Sequence, residues 1–222
     1  MNEERKKQRE HMREVWRGLD RRGKIQYVID YYLLYIIIIL SGLALVVWFF
    51  IEKANTRDPA LYLAGLNAGI AGEASSELTD ELYGYLGLNE KQEVVWDSAA
   101  LDDYEASTRI YTLIGAGMID AFICDETSFY ALAEAGTLME LDGFLEESVY
   151  QELETSGKLL LGEVSEDYGG GSFKLGITLP EDFAERYHLK ASGGGRLVLC
   201  IIANAPHPDA AKALVRFIFP DK

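Results

Sequence analysis

Three histidines, two cysteines and a surplus of carboxylates are the side chains of this chain that could do chemistry. His11, His188 and His207 lie in three separate regions, and no two have the spacing of metal ligands. Neither Cys124 nor Cys200 has a histidine near it in sequence to activate the thiol. Both cysteines sit in apolar, β-branched runs, AFICD and LVLCIIAN, where an isolated thiol packs as a small hydrophobe. Two cysteines do not make a disulfide scaffold, although a bridge is open to them outside the cytoplasm. The stretch GAGMID at 115–120 has the outline of a dinucleotide loop, but it precedes a strand and lacks the third glycine. No phosphate loop, G-x-S-x-G or H-E-x-x-H motif occurs. The expectation is a protein that is not an enzyme and carries no cofactor and no metal.

What remains is an argument from position. In open α/β sheets, ligands bind outside the carboxyl ends of the parallel strands. Apolar runs predict strands at 61–67, 93–97 and 119–124, each followed by a helical pattern. Their carboxyl ends carry Asn67, then Asp97 with Ser98, then Asp125 with Glu126 and Thr127. These six are the candidate ligand-binding residues, because helix N-termini beside them offer free N–H groups. Helix capping explains the same residues without a ligand, since Asp and Thr favour the position before a helix. Tyr83, Tyr85, Trp96 and Tyr104 would make a contact surface if exposed, whereas a strand tryptophan such as Trp96 ordinarily packs in the core.

The elements that position these residues alternate in type. Helical periodicity covers 77–86, 104–114, 127–135, 146–153 and 181–187, with Asp125 or Thr127 capping the third and Gly136 ending it. Strands at 159–164 and 173–177 flank the glycine run 169–171 as a pair, and a fully apolar strand follows at 197–204. The last helix opens at Pro208. Strands alternating with helices predict an α/β domain, a mostly parallel sheet covered by helices on both faces.

Ahead of this domain runs YYLLYIIIILSGLALVVWFFI, residues 31–51, without a charge. Twenty-odd residues at about 1.5 Å each cross the roughly 30 Å apolar core of a bilayer. Nine Lys and Arg precede the run, whereas Lys53 and Arg57 follow it closely. Short basic flanks stay cytoplasmic, so the N-terminus is expected inside and the C-terminal domain outside the plasma membrane. A cleaved signal peptide has a shorter apolar region, and no small-x-small site directly follows this one. The expected layout is a cytoplasmic basic segment (1–27), a transmembrane signal anchor (28–52), a linker (53–59) and an extracytoplasmic domain (60–222). Met12, Val15, Trp16 and Leu19 share one face of a basic helix expected over 3–19, suited to the inner leaflet, to a partner, or to setting topology.

The whole chain has 222 residues and a formal net charge of −15, and its basic end makes the outer part more acidic than the total. That charge argues against nucleic acid as a partner. About 165 residues after the apolar run suffice for one domain but not comfortably for two.

Three stretches carry a resemblance. TLIGAGMIDAFICDETSFYALAEAGTLMELDGFL (112–145) reads as a helix, a Gly-Asp turn, a strand ending in a polar residue, a helix, and a tail formed by Gly136, Leu138, Leu141, Asp142, Phe144 and Leu145. RLVLCIIANAPHPDAAKALVRFIF (196–219) reads as a return strand, a turn with Asn and Pro, and a helix carrying paired alanines, and LYLAGLN as an opening strand. Together they resemble the type-2 extracellular solute-binding proteins of bacterial ABC importers. In plan the chain is also similar to short, membrane-anchored proteins of Gram-positive bacteria that look like reduced members of that family. The resemblance implies a binding module with one lobe, the second lobe missing or reduced to the hairpin at 158–177. It implies a return strand antiparallel to the others, with Cys124 and Cys200 on neighbouring strands. It also implies a function as an anchored extracytoplasmic binding or interaction module that meets another envelope protein or a transporter subunit. The alternative it leaves open is a solute receptor of an ABC-type importer held by its N-terminal helix.

Overall fold

The computed structural model describes residues 7, 17–18, 20–70, 72–99 and 104–220. The amphipathic helix expected over 3–19 lies outside them apart from three positions. The chain divides into two compact units, 1–56 and 57–222.

The first unit is built on α1, Arg21–Asn55, whose 35 residues are about 52 Å long at the α-helical rise. Asp20 caps it, its carboxyl accepting from the N–H of Gly23 at 2.7 Å. Gly23 therefore sits in the first turn, where its N–H has no helical carbonyl to bond, instead of interrupting a helix. At the other end, Thr56 closes the helix through its N–H and its hydroxyl, both donating to the Glu52 carbonyl at 2.9 Å. Lys53 in the last turn complements the negative end of the helix dipole. The stretch Tyr35–Lys53 is long and apolar enough to cross a membrane, and every side chain in it is exposed. The helix runs past the expected end of the anchor at 52, so Thr56 and Arg57 alone separate it from the first strand.

The second unit contains β1 (Asp58–Leu66), β2 (Ala68–Gly69), α2 (Gly72–Tyr85), β3 (Gln92–Ala99), α3 (Tyr104–Gly115), β4 (Ala121–Asp125) and α4 (Glu126–Glu134). It continues through α5 (Glu147–Thr155), β5 (Leu159–Val164), a 3₁₀ turn (Glu166–Tyr168), β6 (Gly171–Thr178), α6 (Glu181–Arg186), β7 (Lys190–Ala191), β8 (Leu197–Ile201) and α7 (Pro208–Ile218). Six strands form one sheet in the order β3-β1-β4-β8-β6-β5, and β2 with β7 forms a separate two-stranded piece.

The expectation of a mostly parallel sheet is corrected. Only β1–β3 and β1–β4 are parallel; β4–β8, β8–β6 and β6–β5 are antiparallel, so the sheet is mixed. The reason is connection length. β5 and β6 are joined by a tight turn through Gly169 and Gly170, which only an antiparallel pair accommodates. This hairpin adds its strands to the edge of the one large sheet. The strand expected at 197–204 ends at Ile201, and Leu138 makes an isolated bridge to Ile202 just beyond it.

Helices cover both faces, as the alternation of elements predicts. Leu61, Leu63, Ile123, Leu199 and Ile177 point to one side, against Leu78 and Leu82 of α2, Leu153 of α5, Tyr187 beside α6 and Leu214 of α7. Tyr62, Ala64, Phe122, Cys124, Val198 and Cys200 point to the other, against Ile110 and Ile114 of α3 and Phe129 and Leu132 of α4. Successive strand residues face opposite sides, so burial on both makes the strands read as unbroken apolar runs.

Two glycines have identifiable work. A Cβ at Gly65 would lie 2.3 Å from the Ala68 carbonyl oxygen and 2.8 Å from the Trp96 ring, so only glycine lets β1 fold back under that ring. Gly136 has φ +65° and follows the C-cap of α4, its N–H bonding the Ala133 carbonyl at 2.9 Å. That is the left-handed helix stop expected from its place in the sequence.

Candidate functional site

The six candidate residues divide into two groups. Asn67 and Asp125 end neighbouring parallel strands, and they are joined through a residue the sequence reading passed over, Ser128. The Asn67 side-chain N–H donates to Ser128 Oγ at 3.1 Å. Ser128 in turn donates its hydroxyl and its backbone N–H to Asp125 Oδ1, the latter at 2.8 Å. Asp125 is thereby the N-cap of α4, as its position before that helix predicts. Asn67 adopts φ +51°, a left-handed conformation that Asn tolerates better than most residues. It holds the strand end by donating its N–H to the Ala99 carbonyl and accepting from the Ser192 N–H.

Glu126 and Thr127 occupy the first turn of α4. Glu126 pairs with Arg196, which precedes β8, and Thr127 is exposed. Asp97 and Ser98 lie apart from this group, on the far side of β1. β3 continues to Ala99, so Asp97 sits within the strand and not at its end as expected. Adjacent strand residues face opposite sides, so Asp97 and Ser98 do not converge on one ligand. Asp97 turns towards α3, where Arg109 grips both its oxygens and the Tyr62 hydroxyl donates to Oδ2 at 3.0 Å. Burial alone would raise the Asp97 pKa. The bonds from Arg109 and Tyr62 outweigh it and hold the carboxyl below its ordinary range. Burial first, then the bond to Asp97, pushes the Tyr62 phenol up to about 12.

These geometries limit the chemistry. Ser128 has 0 % exposure and faces a carboxyl with no histidine between them, so it is unsuited to attack a substrate. Every polar contact of Asp97 described above goes to another residue of the same unit, which is how a structural ion pair behaves. Among the described residues, no three His, Cys, Asp or Glu side chains converge as a metal site.

A second network lies at the opposite end of the sheet, and sequence reasoning missed it. Asp120 precedes β4 and is fully buried. It accepts from the Tyr62 N–H at 2.8 Å, from the His207 N–H at 2.7 Å, and faces His207 Nδ1 at 3.1 Å. His207 borders a cavity of about 570 Å³ with Asp58, Gln92 and Asp209. An Asp–His contact of this kind can orient a general base. Among the described residues no serine, threonine, cysteine or lysine lines the cavity, and the two backbone bonds tie β1 and the start of α7 to one carboxyl. The signal in the sequence was an aspartate inside MIDAF, but its partners lie 58 and 87 positions away.

Trp96 packs half-buried against the core and over Gly65, as a strand tryptophan should. Tyr85 is exposed and packs at a tilt of 59° against Phe217, with ring centres 5.2 Å apart. A further exposed tyrosine, Tyr130, borders a cavity of about 570 Å³ next to β5 together with the exposed Leu161.

The fold and these networks define an α/β domain on a mixed sheet, joined to one long apolar helix. Comparisons with family models, curated proteins and solved structures find no match for this chain.

Proposed function

We propose that the protein is a membrane-anchored, extracytoplasmic binding or interaction module without enzymatic activity, resembling one lobe of a solute-binding protein. The observation that carries this reading is α1. Between Tyr35 and Lys53 its side chains are predominantly apolar and exposed, which is unstable in water and stable in a bilayer. Arg21, Arg22 and Lys24 at its start favour a cytoplasmic N-terminus. The interaction half of the reading is supported by candidate polar groups that satisfy one another instead of pointing into a cleft. The partner is another envelope protein or a transporter subunit, met through the acidic outer domain.

The test is in two stages. Protease added to intact cells should remove the acidic domain while sparing the basic end, and a protected domain would refute the placement. The full-length protein and a form lacking residues 1–56 are then each used to capture partners from solubilised membranes. Recovery of the same envelope protein by both forms supports a module working through its outer domain. Recovery by the full-length form alone assigns the contact to the helix and its basic flank.

One observation favours the receptor reading as a second possibility. A cavity of about 420 Å³ lies beside Lys190, Gly194, Gly195 and Arg196, within the size range of small-molecule sites. A rise in melting temperature with an amino acid, sugar or peptide, lost on Arg196→Ala, would support it.

A further inference from the structure

Cys124 and Cys200 are the chain's only two cysteines, and the fold brings them together across 76 positions of sequence. In the antiparallel ladder of β4 and β8, Cys124 pairs with Val198 and Cys200 with Phe122, so the cysteines are diagonal neighbours on one face. Their sulfurs are 3.7 Å apart and both side chains are fully buried. A disulfide requires about 2.05 Å between sulfurs, so closure needs an approach of less than about 2 Å, and for a diagonal pair it also draws the two strands closer at that point.

We propose that Cys124 and Cys200 close into an intramolecular disulfide as the domain folds, a modification that staples the parallel half of the sheet to its antiparallel half. The proposal rests on the outer placement of the domain, because thiols persist in the cytoplasm and oxidise outside it. The oxidant is a disulfide compound, such as oxidised glutathione or the disulfide of a thiol oxidoreductase. One cysteine thiolate attacks a sulfur of that disulfide, forming a mixed disulfide and expelling one thiolate. The second cysteine thiolate attacks the protein sulfur of the mixed disulfide and expels the other. The oxidant gains two electrons, and its two leaving thiolates take up the two protons lost by the cysteines.

Burial places this chemistry before folding is complete. It pushes the Cys200 thiol well above its ordinary pKa, so the folded protein presents little thiolate there and no route for a bulky oxidant. The same burial protects the bond once made. The staple is therefore structural, and it joins two strands whose intervening chain includes α4, α5, the β5–β6 hairpin and α6.

The test uses the full-length protein. Cells producing it are quenched in acid, and thiols are counted by maleimide-linked polyethylene glycol under denaturing conditions, with and without reduction. The expected result is no shift before reduction and two adducts after it, with an unreduced mass two hydrogens lower. Cys124→Ala should give one adduct in both lanes. In parallel, detergent-solubilised protein is unfolded and refolded in a glutathione buffer near −200 mV, roughly the poise of an oxidising compartment. Two free thiols after that refolding overturn the disulfide. Closure on refolding with free thiols in cells keeps the pairing and overturns the outer placement.

Discussion

Replacing Asp120 with alanine tests whether one buried carboxyl holds two ends of the domain together. Its oxygens accept two backbone donors, Tyr62 N–H in β1 and His207 N–H before α7, and contact the His207 ring. Alanine removes the acceptor and leaves the buried Tyr62 N–H and the part-buried His207 N–H without it. A buried donor left unpaired costs about 1–3 kcal/mol, so two cost about 2–6 kcal/mol, and relief of the carboxyl's own burial lowers the sum to about 3 kcal/mol. For a chain of this size that is roughly a 6–12 °C fall in melting temperature. Asp120→Asn keeps one acceptor oxygen for Tyr62 but turns an amide donor towards His207 N–H, and should lose about half as much. His207→Ala leaves both backbone bonds in place and removes only the ring contact, which should cost about 1 kcal/mol or less. The assay is thermal unfolding of the three variants in the same detergent, followed by circular dichroism. Equal losses for His207→Ala and Asp120→Ala would refute the reasoning, because the ring and not the backbone donors would then be the source. A loss below about 1 kcal/mol for Asp120→Ala would refute it as well.

Three further outcomes are expected. Because Tyr62 ionises only near pH 12 in the folded protein, its contribution is complete below pH 10 and is lost as pH rises towards 12. Chemical denaturation at pH 9 and 11 should therefore show a larger loss for the native chain than for Tyr62→Phe. Asp97 has the opposite sign: its depressed pKa stabilises the fold above the ordinary value of 3.8 and the benefit disappears as pH falls below it. The stability gap between the native chain and Asp97→Asn should thus be present at pH 7 and close in acid, measured by the same denaturation. Gly176→Ala would place a Cβ 2.6 Å from the Phe129 ring and 2.7 Å from Val198, an overpacking expected to cost about 1–3 kcal/mol in a thermal melt.

Local patterns in the sequence found most of the elements. The cap of α4, expected at Asp125 or Thr127 and found at Asp125, the stop at Gly136 and the start at Pro208 were visible because each depends on backbone needs within one turn of helix. The direction of strands was less legible. The apolar runs at 159–164 and 173–177 predict a pair, but nothing in them says that the pair would join the large sheet beyond β8 and make it mixed. Register was illegible too: β3 continues two residues past Asp97 because Ala99 accepts from the Asn67 N–H, a contact made by a distant strand. Asp97 therefore lies within the strand, where alternation turns its side chain to the α3 face and into the grip of Arg109.

The partners of the candidate residues were illegible for a related reason. Residue type and place in a predicted element identify which groups need a partner, while only the folded chain supplies that partner. Asn67 and Asp125 lie at adjoining strand ends, and Ser128, which connects them, looks in the sequence like any small residue inside a helix. Asp120 shows the reverse error. It falls inside the strand expected at 119–124, whereas it precedes β4, and full burial with two backbone donors makes it the carboxyl on which two segments converge. A polar group so placed is poorly suited to bind a ligand, because taking up the ligand would unpair a buried donor at a cost of about 1–3 kcal/mol. Groups whose exposure leaves room for a partner are those around Tyr130 and Leu161 beside β5 and around Arg196 at the strand ends. Surface substitutions at these two places, and not within the buried networks, are where binding should change while stability does not.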